Sequence, residues 1–295
     1  MSIFVSSIGF GLVTASIFAL AAVGFTLQFG ATNILNLAYG DVMIASAFVA
    51  YLTNSLGLNI WLCLLVGAAF GALASFLLNR LLLTPFIRRG TKLFGMVIVT
   101  LAAGLVIQNI LLAITGSQFV SYSMDVGRTV SVGSIILTAA QIAIMAVAIV
   151  AMLAIHLLLN RTRLGKAMRA TASNASLARS CGINTSRIVD LVWLISGALC
   201  GIAGVALGIN TTSFDTSTGS EVFVVIIAAA VLGGIGDAYG SMLGALIIGL
   251  TTEVSAVVVS PAYKDAIAFL ILVLVLLIRP EGIRTVFSSR REAAT

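Results

Sequence analysis

Apolar runs near twenty residues long recur along this chain, and their recurrence restricts the possible folds more than any other feature. Such a run, wound as a helix, crosses roughly 30 Å of hydrocarbon. Inside hydrocarbon every backbone N–H and C=O must find a partner within the protein, so continuous runs imply helices. A β-barrel would need alternating segments of about ten residues instead. Charged residues fill only 9% of the 295 positions, against about 25% in a soluble domain. The fold class is therefore all-α: a polytopic helical membrane protein, read as one transmembrane domain over 1–295.

Taken in order, the runs cover about 8–29, 42–52, 59–83, 93–114, 135–159, 188–209, 222–232, 240–259 and 266–278. That gives eight or nine crossings, depending on whether the short run 42–52 spans or re-enters. The N-terminus would lie outside for nine and inside for eight. The first run lacks a basic leader and a clear cleavage site, so it is read as a retained span. The run 59–83 is expected to stop at Thr84-Pro85. Segments 115–134 and 210–221 are poor in basic residues and are expected to face outward. Arg88, Arg89 and Lys92, and the C-terminal Arg279, Arg284, Arg290 and Arg291, mark cytoplasmic ends by the positive-inside rule. The final SSRREAAT is expected to fray.

The longest strongly polar interruption is 160–187, NRTRLGKAMRATASNASLARSCGINTSR. It holds Arg161, Arg163, Lys166, Arg169, Arg179 and Arg187, six of the sixteen basic residues, and no acid. This loop is expected in the cytoplasm, with a short helix in its middle and a stop at Gly182 followed by Ile183 and Asn184. A net charge of +6 invites a nucleic-acid reading, but the cations sit at span ends, where topology accounts for them.

An internal repeat appears at an offset of 180 residues: GFTLQFGATNILNLAYGDV at 24–42 and GVALGINTTSFDTSTGSEV at 204–222. In each, an apolar span ends in a run rich in Asn, Thr and Gly, and an acid followed by Val opens the next. Interrupted spans in matching positions of two halves point to a transport path. Asp41 and Glu221 stand at expected helix N-termini, where a carboxylate either caps the helix or serves the path. Gln108-Asn109 lies mid-span and needs a helix or water to face. Asp190 and Glu253 are expected at interfaces, and Lys264 and Asp265 in solvent. Gly197, Gly201, Gly204 and Gly208, and separately Gly67 and Gly71, form small-residue stripes for close helix packing.

Familiar catalytic patterns are missing from the sequence. Gly165-Lys166 is followed by Ala167, so no phosphate-cradling GxxxxGK[ST] loop is present. His156 is the lone histidine and is read as an interfacial side chain, with no metal site around it. Cys63, Cys181 and Cys200 form no CxxC pair and are read as packing residues. The serines have no His/Asp partnership for hydrolysis. An intramembrane enzyme is therefore disfavoured, and no cofactor is implied. An importer subunit and a stand-alone secondary transporter or channel for a small polar solute both remain open. Few buried acids count against proton coupling in the latter.

Four stretches carry a resemblance that covers about 9–287: GFTLQFGATNILNLAYGD, LGKAMRATASNASLARSCGIN, VLGGIGDAYGSMLGALIIGL and RPEGI. Together they resemble the permease subunits of bacterial ABC importers for branched-chain amino acids, in particular the shorter of the two paralogous types. The resemblance implies a multi-pass bacterial inner-membrane subunit without its own ATPase site, working by alternating access. The implied partners are a longer permease paralogue, two cytoplasmic ATP-binding subunits and a periplasmic substrate-binding protein. The helix around Lys166 to Gly182 would couple to the ATPase, with Gly165, Lys166, Arg169, Ala170, Ala178, Gly182, Ile183 and Asn184 at the matching positions. The path would be lined by the two breaks, through Asn33, Asn36, Tyr39, Gly40, Asp41, Thr216 and Glu221. Two departures stand out: Arg169-Ala170-Thr171-Ala172 replaces the Glu-Ala-Ala opening of other importer classes, and Tyr39 stands where relatives commonly have His. Related permeases serve branched-chain or other neutral amino acids, urea and amides, or carboxylates.

Overall fold

In the computed structural model, residues 2–123, 129–132, 135–258 and 263–278 are described. The closing 279–283 stretch, the C-terminal arginines and the side chain of Asp265 lie outside them. The elements are α1 (Ser2–Thr32), α2 (Tyr39–Ser55), α3 (Ile60–Leu77), a π-helical turn (Leu78–Leu83), α4 (Thr84–Arg88) and α5 (Leu93–Thr115). After them come β1 (Thr129–Val132), β2 (Ile135–Thr138), α6 (Ala139–Arg161), α7 (Arg163–Ser173) and α8 (Ala175–Ser180). The chain continues through α9 (Thr185–Thr211), α10 (Thr218–Gly233), α11 (Ala238–Val258) and α12 (Lys264–Ile278). Six of these stretches are long and apolar enough to cross a membrane, and shorter apolar helices accompany them. The protein is a polytopic helical membrane protein.

Three local expectations need correction. Pro85 does not stop the third span: helix continues from Ile60 to Arg88. The amide that proline lacks is not missed, because Pro85 sits in the first turn of α4. The wider π turn before it bonds Thr84 N–H to the Asn79 carbonyl. Residues 135–138 are strand and not the start of a span; β2 pairs antiparallel with β1, Val132 opposite Ile135 and Thr129 opposite Thr138. Ile135, Ile136 and Leu137 suit a strand as well as a helix, and Gln141 and Thr138 then cap the helix start at Ala139 through bonds of 3.0 and 3.3 Å. Lys264 is not merely solvated: its ammonium lies 2.8 Å from the Glu253 carboxylate.

Two compact units make up the chain. One comprises Met1–Thr26, Asp125–Ala148 and Val224–Thr295; the other comprises Leu27–Met124 and Ile149–Phe223. In the first, the small side of α11 packs on α1. Gly249 lies against the backbone of Ala15, and Thr26 and Ser241 share a hydroxyl hydrogen bond of 2.6 Å. Thr14 adds a bond of 3.3 Å to Glu253.

In the second unit α9 is the hub, and its glycine stripe explains why. Gly197 and Gly201 lie against the carbonyls of Gly71 and Gly67 on α3, Gly204 against the Met43 carbonyl on α2, and Gly208 against the rings of Tyr122 and Phe214. Bare backbone at four successive positions lets three neighbours approach one helix, as the sequence stripes predict.

Candidate translocation path and coupling loop

All residues singled out for the path and the coupling loop fall in the second unit. The repeat is visible in the backbone. The residue that follows α1, Asn33 (φ 56°), and the one that follows α9, Thr212 (φ 63°), are each in a left-handed conformation. Six residues (33–38 and 212–217) then lead into α2 and α10. Asn33 and Thr212 are 179 positions apart, as are Gly40 and Gly219. The sequence alignment at 180 is thus slipped by one residue. Thr is an unfavourable residue for that conformation, and such outliers gather at functional sites.

The two helices that follow the breaks cross at their starts. Gly40 and Gly219 face each other so closely that a methyl on either would strike the other's carbonyl. Tyr39 is fully buried, its ring 5.9 Å from that of Phe223, while its carbonyl accepts a hydrogen bond of 3.4 Å from Cys200 Sγ. Asn36 is buried and donates to Gln28 Oε1 at 3.0 Å. Gln28 Nε2 is buried without a partner among the described residues. Asn33 is exposed; Asp41 and Thr216 are buried. The expected short run 42–52 is a helix of 17 residues that begins earlier, at Tyr39, and includes Asp41 in its first turn.

One face of α5 holds both breaks. Thr100 Oγ1 accepts from the Leu37 amide at 3.2 Å and stands 3.2 Å from the Leu35 carbonyl. Gly104 leaves room for the Asp41 carboxylate, and Gln108 Nε2 donates to the Thr216 carbonyl at 3.4 Å. Met96, one turn earlier, packs with Ile34, Leu83 and Trp193. These four residues are spaced by four, one stripe of a helix that is otherwise turned outward. Asn109, on another face, bonds its own helix at the Leu105 carbonyl, 2.7 Å away. Sequence reading found Gln108 but missed Thr100 and Gly104, although their spacing was available.

The start of α10 is capped by Asp215, which the sequence reading also overlooked. Its Oδ1 accepts from Thr218 N–H at 3.0 Å, and the Thr218 hydroxyl accepts from Asp215 N–H at 3.1 Å, a reciprocal box. Burial pushes the Asp215 carboxyl up, but hydrogen bonds from Thr218 and Ser217 outweigh it and hold the group below its ordinary value. Glu221 is exposed and accepts from Ser217 Oγ, at 3.2 Å.

The basic loop holds two helices where one was expected. Asn174 divides them: it leaves helical geometry (φ −155°, ψ 99°), and its side chain takes the amides of Ser176 and Leu177 at 3.1 and 3.0 Å. Asn gains as much from capping as from continuing a helix, which composition alone does not reveal. Thr162 caps α7 through Gly165 N–H (3.0 Å), and Gly165 lies against the Leu158 and Leu159 carbonyls at the end of α6. Arg169 Nη1 donates to Asn160 Oδ1 at 3.2 Å. Lys166 is exposed and Ala170 half-buried, whereas Met168, Thr171 and Ala178 are buried.

The stop at Gly182 is a Schellman turn. Gly182 (φ 83°) donates to Arg179 O at 2.9 Å, and Ile183 to Ala178 O at 3.0 Å. Asn184 then caps α9 by accepting from Arg187 N–H at 3.2 Å. This loop is a built, braced structure and not a flexible linker.

A membrane-embedded helical unit with paired interrupted helices and a braced polar loop is the form of a transport permease. The family described as "Branched-chain amino acid transport system / permease component" matches residues 7–276, and the chain belongs to it. It is 33% identical to the high-affinity branched-chain amino acid transport system permease protein LivH of Escherichia coli K12, over 92% of each chain. It is 32% identical to BraD, the corresponding permease protein of Pseudomonas aeruginosa PAO1, over 92% of this chain and 93% of that one. A more distant relative is the fructose import permease protein FruF of Bifidobacterium longum, 29% identical over 79% of this chain and 65% of the other. No solved structure matches the chain.

Proposed function

We propose that this permease component forms half of the transmembrane path of an ATP-driven importer of the bacterial inner membrane. In this reading 1–295 is one permease domain, and 160–187 is its cytoplasmic coupling loop. Its cargo is a branched-chain or other small neutral amino acid, or an amide or urea; the printed names of LivH and BraD support the first of these. The membrane core pairs the chain with a longer permease paralogue. Two ATP-binding subunits act from the cytoplasm, and a periplasmic protein delivers the substrate.

The observation that carries the proposal is the meeting of both breaks at one crossing of α2 and α10. Two interrupted helices start at the same place, each with an acidic residue in its first turn, Asp41 and Glu221. Asn33, Asn36, Tyr39, Gly40, Asp41, Thr216 and Glu221 would line the route. Nine crossings follow if α2 counts as a span, with the N-terminus outside and the C-terminus cytoplasmic. The α7–α8 pair suits a docking element because Lys166, Arg169, Leu177 and Arg179 are exposed while Gly165, Met168 and Ala178 anchor it. A rigid element of this kind can pass a subunit movement into the spans.

The test is a mild-detergent pull-down of the tagged chain from its native cells, followed by uptake in liposomes. Recovery of two ATPase subunits and a longer permease, with uptake of neutral amino acids that depends on ATP and a binding protein, is the expected outcome. Uptake by the chain alone, without ATP, would transfer it to the secondary transporters.

A further inference from the structure

We propose that the basic cleft at the end of α3 is a binding site for the phosphate headgroup of an anionic phospholipid. The cleft has a volume of about 790 Å³, and its walls include Arg80, Thr84, Arg88, Arg89, Arg187 and Asp190. Four guanidinium groups thus face one carboxylate. That carboxylate is already engaged, at 2.8 Å by Asn79 Nδ2 and at 3.4 Å by Arg80 Nη1. Arg80 is held further by the Phe76 ring, 5.7 Å from its guanidinium carbon. Among the described residues the ion pairs are Arg80–Asp190 and Lys264–Glu253. Arg88, Arg89 and Arg187 therefore bring three uncompensated, exposed positive charges to one cleft.

The backbone builds this wall deliberately. The π turn Leu78–Leu83 interrupts regular helix where Arg80 and Leu81 enter the cleft, and Thr84 returns both its amide and its hydroxyl (2.8 Å) to the Asn79 carbonyl. Single π turns of this kind often mark functional sites. Asn184 fixes the opposite wall by capping α9 at Arg187.

Apolar surroundings select the ligand. Leu73, Leu77 and Leu81 recur every four residues toward the cleft and are 54%, 41% and 70% exposed; Leu81 itself lines the cleft. Leu93 and Phe94, which open α5, are also exposed, and only 11% of that helix's most apolar window is buried. Arginines beside water would explain a soluble phosphate, but not leucines running to the rim. A diacylglycerol phosphate satisfies both, with its phosphate on the arginines and its chains along α3. The volume exceeds that of a bare phosphate and suits a glycerophosphate headgroup. Basic pockets between membrane helices take anionic headgroups in this way.

The test is native mass spectrometry of the full chain, with its co-purifying partners, from micelles doped with phosphatidylglycerol or phosphatidylcholine. The wild type should retain phosphatidylglycerol selectively. R88Q/R89Q/R187Q should lower that retention by about a hundredfold, at roughly fivefold per arginine near an anionic surface. R284Q/R290Q/R291Q, which removes the same charge outside both the cleft and the coupling loop, should leave it unchanged. Equal loss in both triple variants would mean diffuse attraction only, and wild-type retention in the first would remove the site; either overturns the proposal. Complete displacement of the lipid by inorganic phosphate would reassign the cleft to a soluble anion. Unchanged lipid with loss of a co-purifying protein would reassign it to a protein contact.

Discussion

Replacing Gly40 or Gly219 with alanine probes the helix crossing from either side. A Cβ on residue 40 would press on the Gly219 carbonyl and lie 2.6 Å from Phe223 Cβ; one on residue 219 would press on the Gly40 carbonyl and lie 2.9 Å from Ile44 Cβ. No rotamer change relieves a clash with a carbonyl or a Cβ, so the helix starts must part by about 1 Å to restore separations of roughly 3.5–4 Å. Overpacking of that kind costs about 1–3 kcal/mol. Helix propensity returns at most about 1 kcal/mol for Gly→Ala in a helix interior, and less here because both glycines are second residues of their helices. Each single variant should therefore lose stability by roughly 1–2 kcal/mol. Once one methyl has parted the helices the second finds room, so the double variant should lose less than the sum, with a coupling of about 1 kcal/mol. Unfolding in mixed micelles can be followed through fully buried Trp193. Strictly additive losses, or an alanine at 40 as stable as glycine, would refute the crossing.

Other outcomes follow from the same geometry. Thr100→Val keeps shape but leaves the Leu37 amide without its acceptor, which should cost about 1 kcal/mol on the scale of membrane-helix hydrogen bonds and slow uptake; equal uptake and stability would remove Thr100 from the path. Asp215→Ala should cost about 0.5–2 kcal/mol through loss of the cap, whereas Glu221→Gln should be near neutral. Because the Asp215 carboxyl is held below its ordinary value of 3.8, its contribution is complete above that pH and fades as pH falls through the lower folded value. Acid titration of unfolding should lose that component in Asp215→Ala, and an unchanged profile would contradict the assignment. Gly182→Val forces a branched side chain into a left-handed turn at about 1–2 kcal/mol. That variant, like Arg169→Glu, should reduce substrate-stimulated ATP hydrolysis to its basal rate with the membrane fold intact. Normal transport by both would refute the docking role of the loop.

The legible parts of this fold are those set by single residues or by long averages. Apolar runs gave the spans, the Asn- and Gly-bearing interruptions gave both breaks, and Gly197 through Gly208 gave the close face of α9. What stayed hidden depended on choices between near-equal local states. Asn174 caps as readily as it continues a helix, and 135–138 suits strand as well as span. Pro85 ends a helix only when its missing amide was needed, and the π turn removed that need. Asp215 was passed over for Glu221 because the helix start, Thr218, falls four residues earlier than the apolar run. Thr100 and Gly104 look ordinary in an apolar sequence; only their distance of four, read together with Gln108, marks them.

The α5 stripe has a consequence for how such a chain can change over generations. From Thr100 to Gln108 is eight residues, about 12 Å along a helix axis, and each end is bolted to a different break. The other faces of α5 are largely exposed within this chain, so the stripe is the part of the helix that its own fold constrains. A single inserted residue between 100 and 108, however, would swing one end about 100° away from the other and release one break while holding its twin. The length of this helix between the two bolts is therefore fixed by the two breaks themselves.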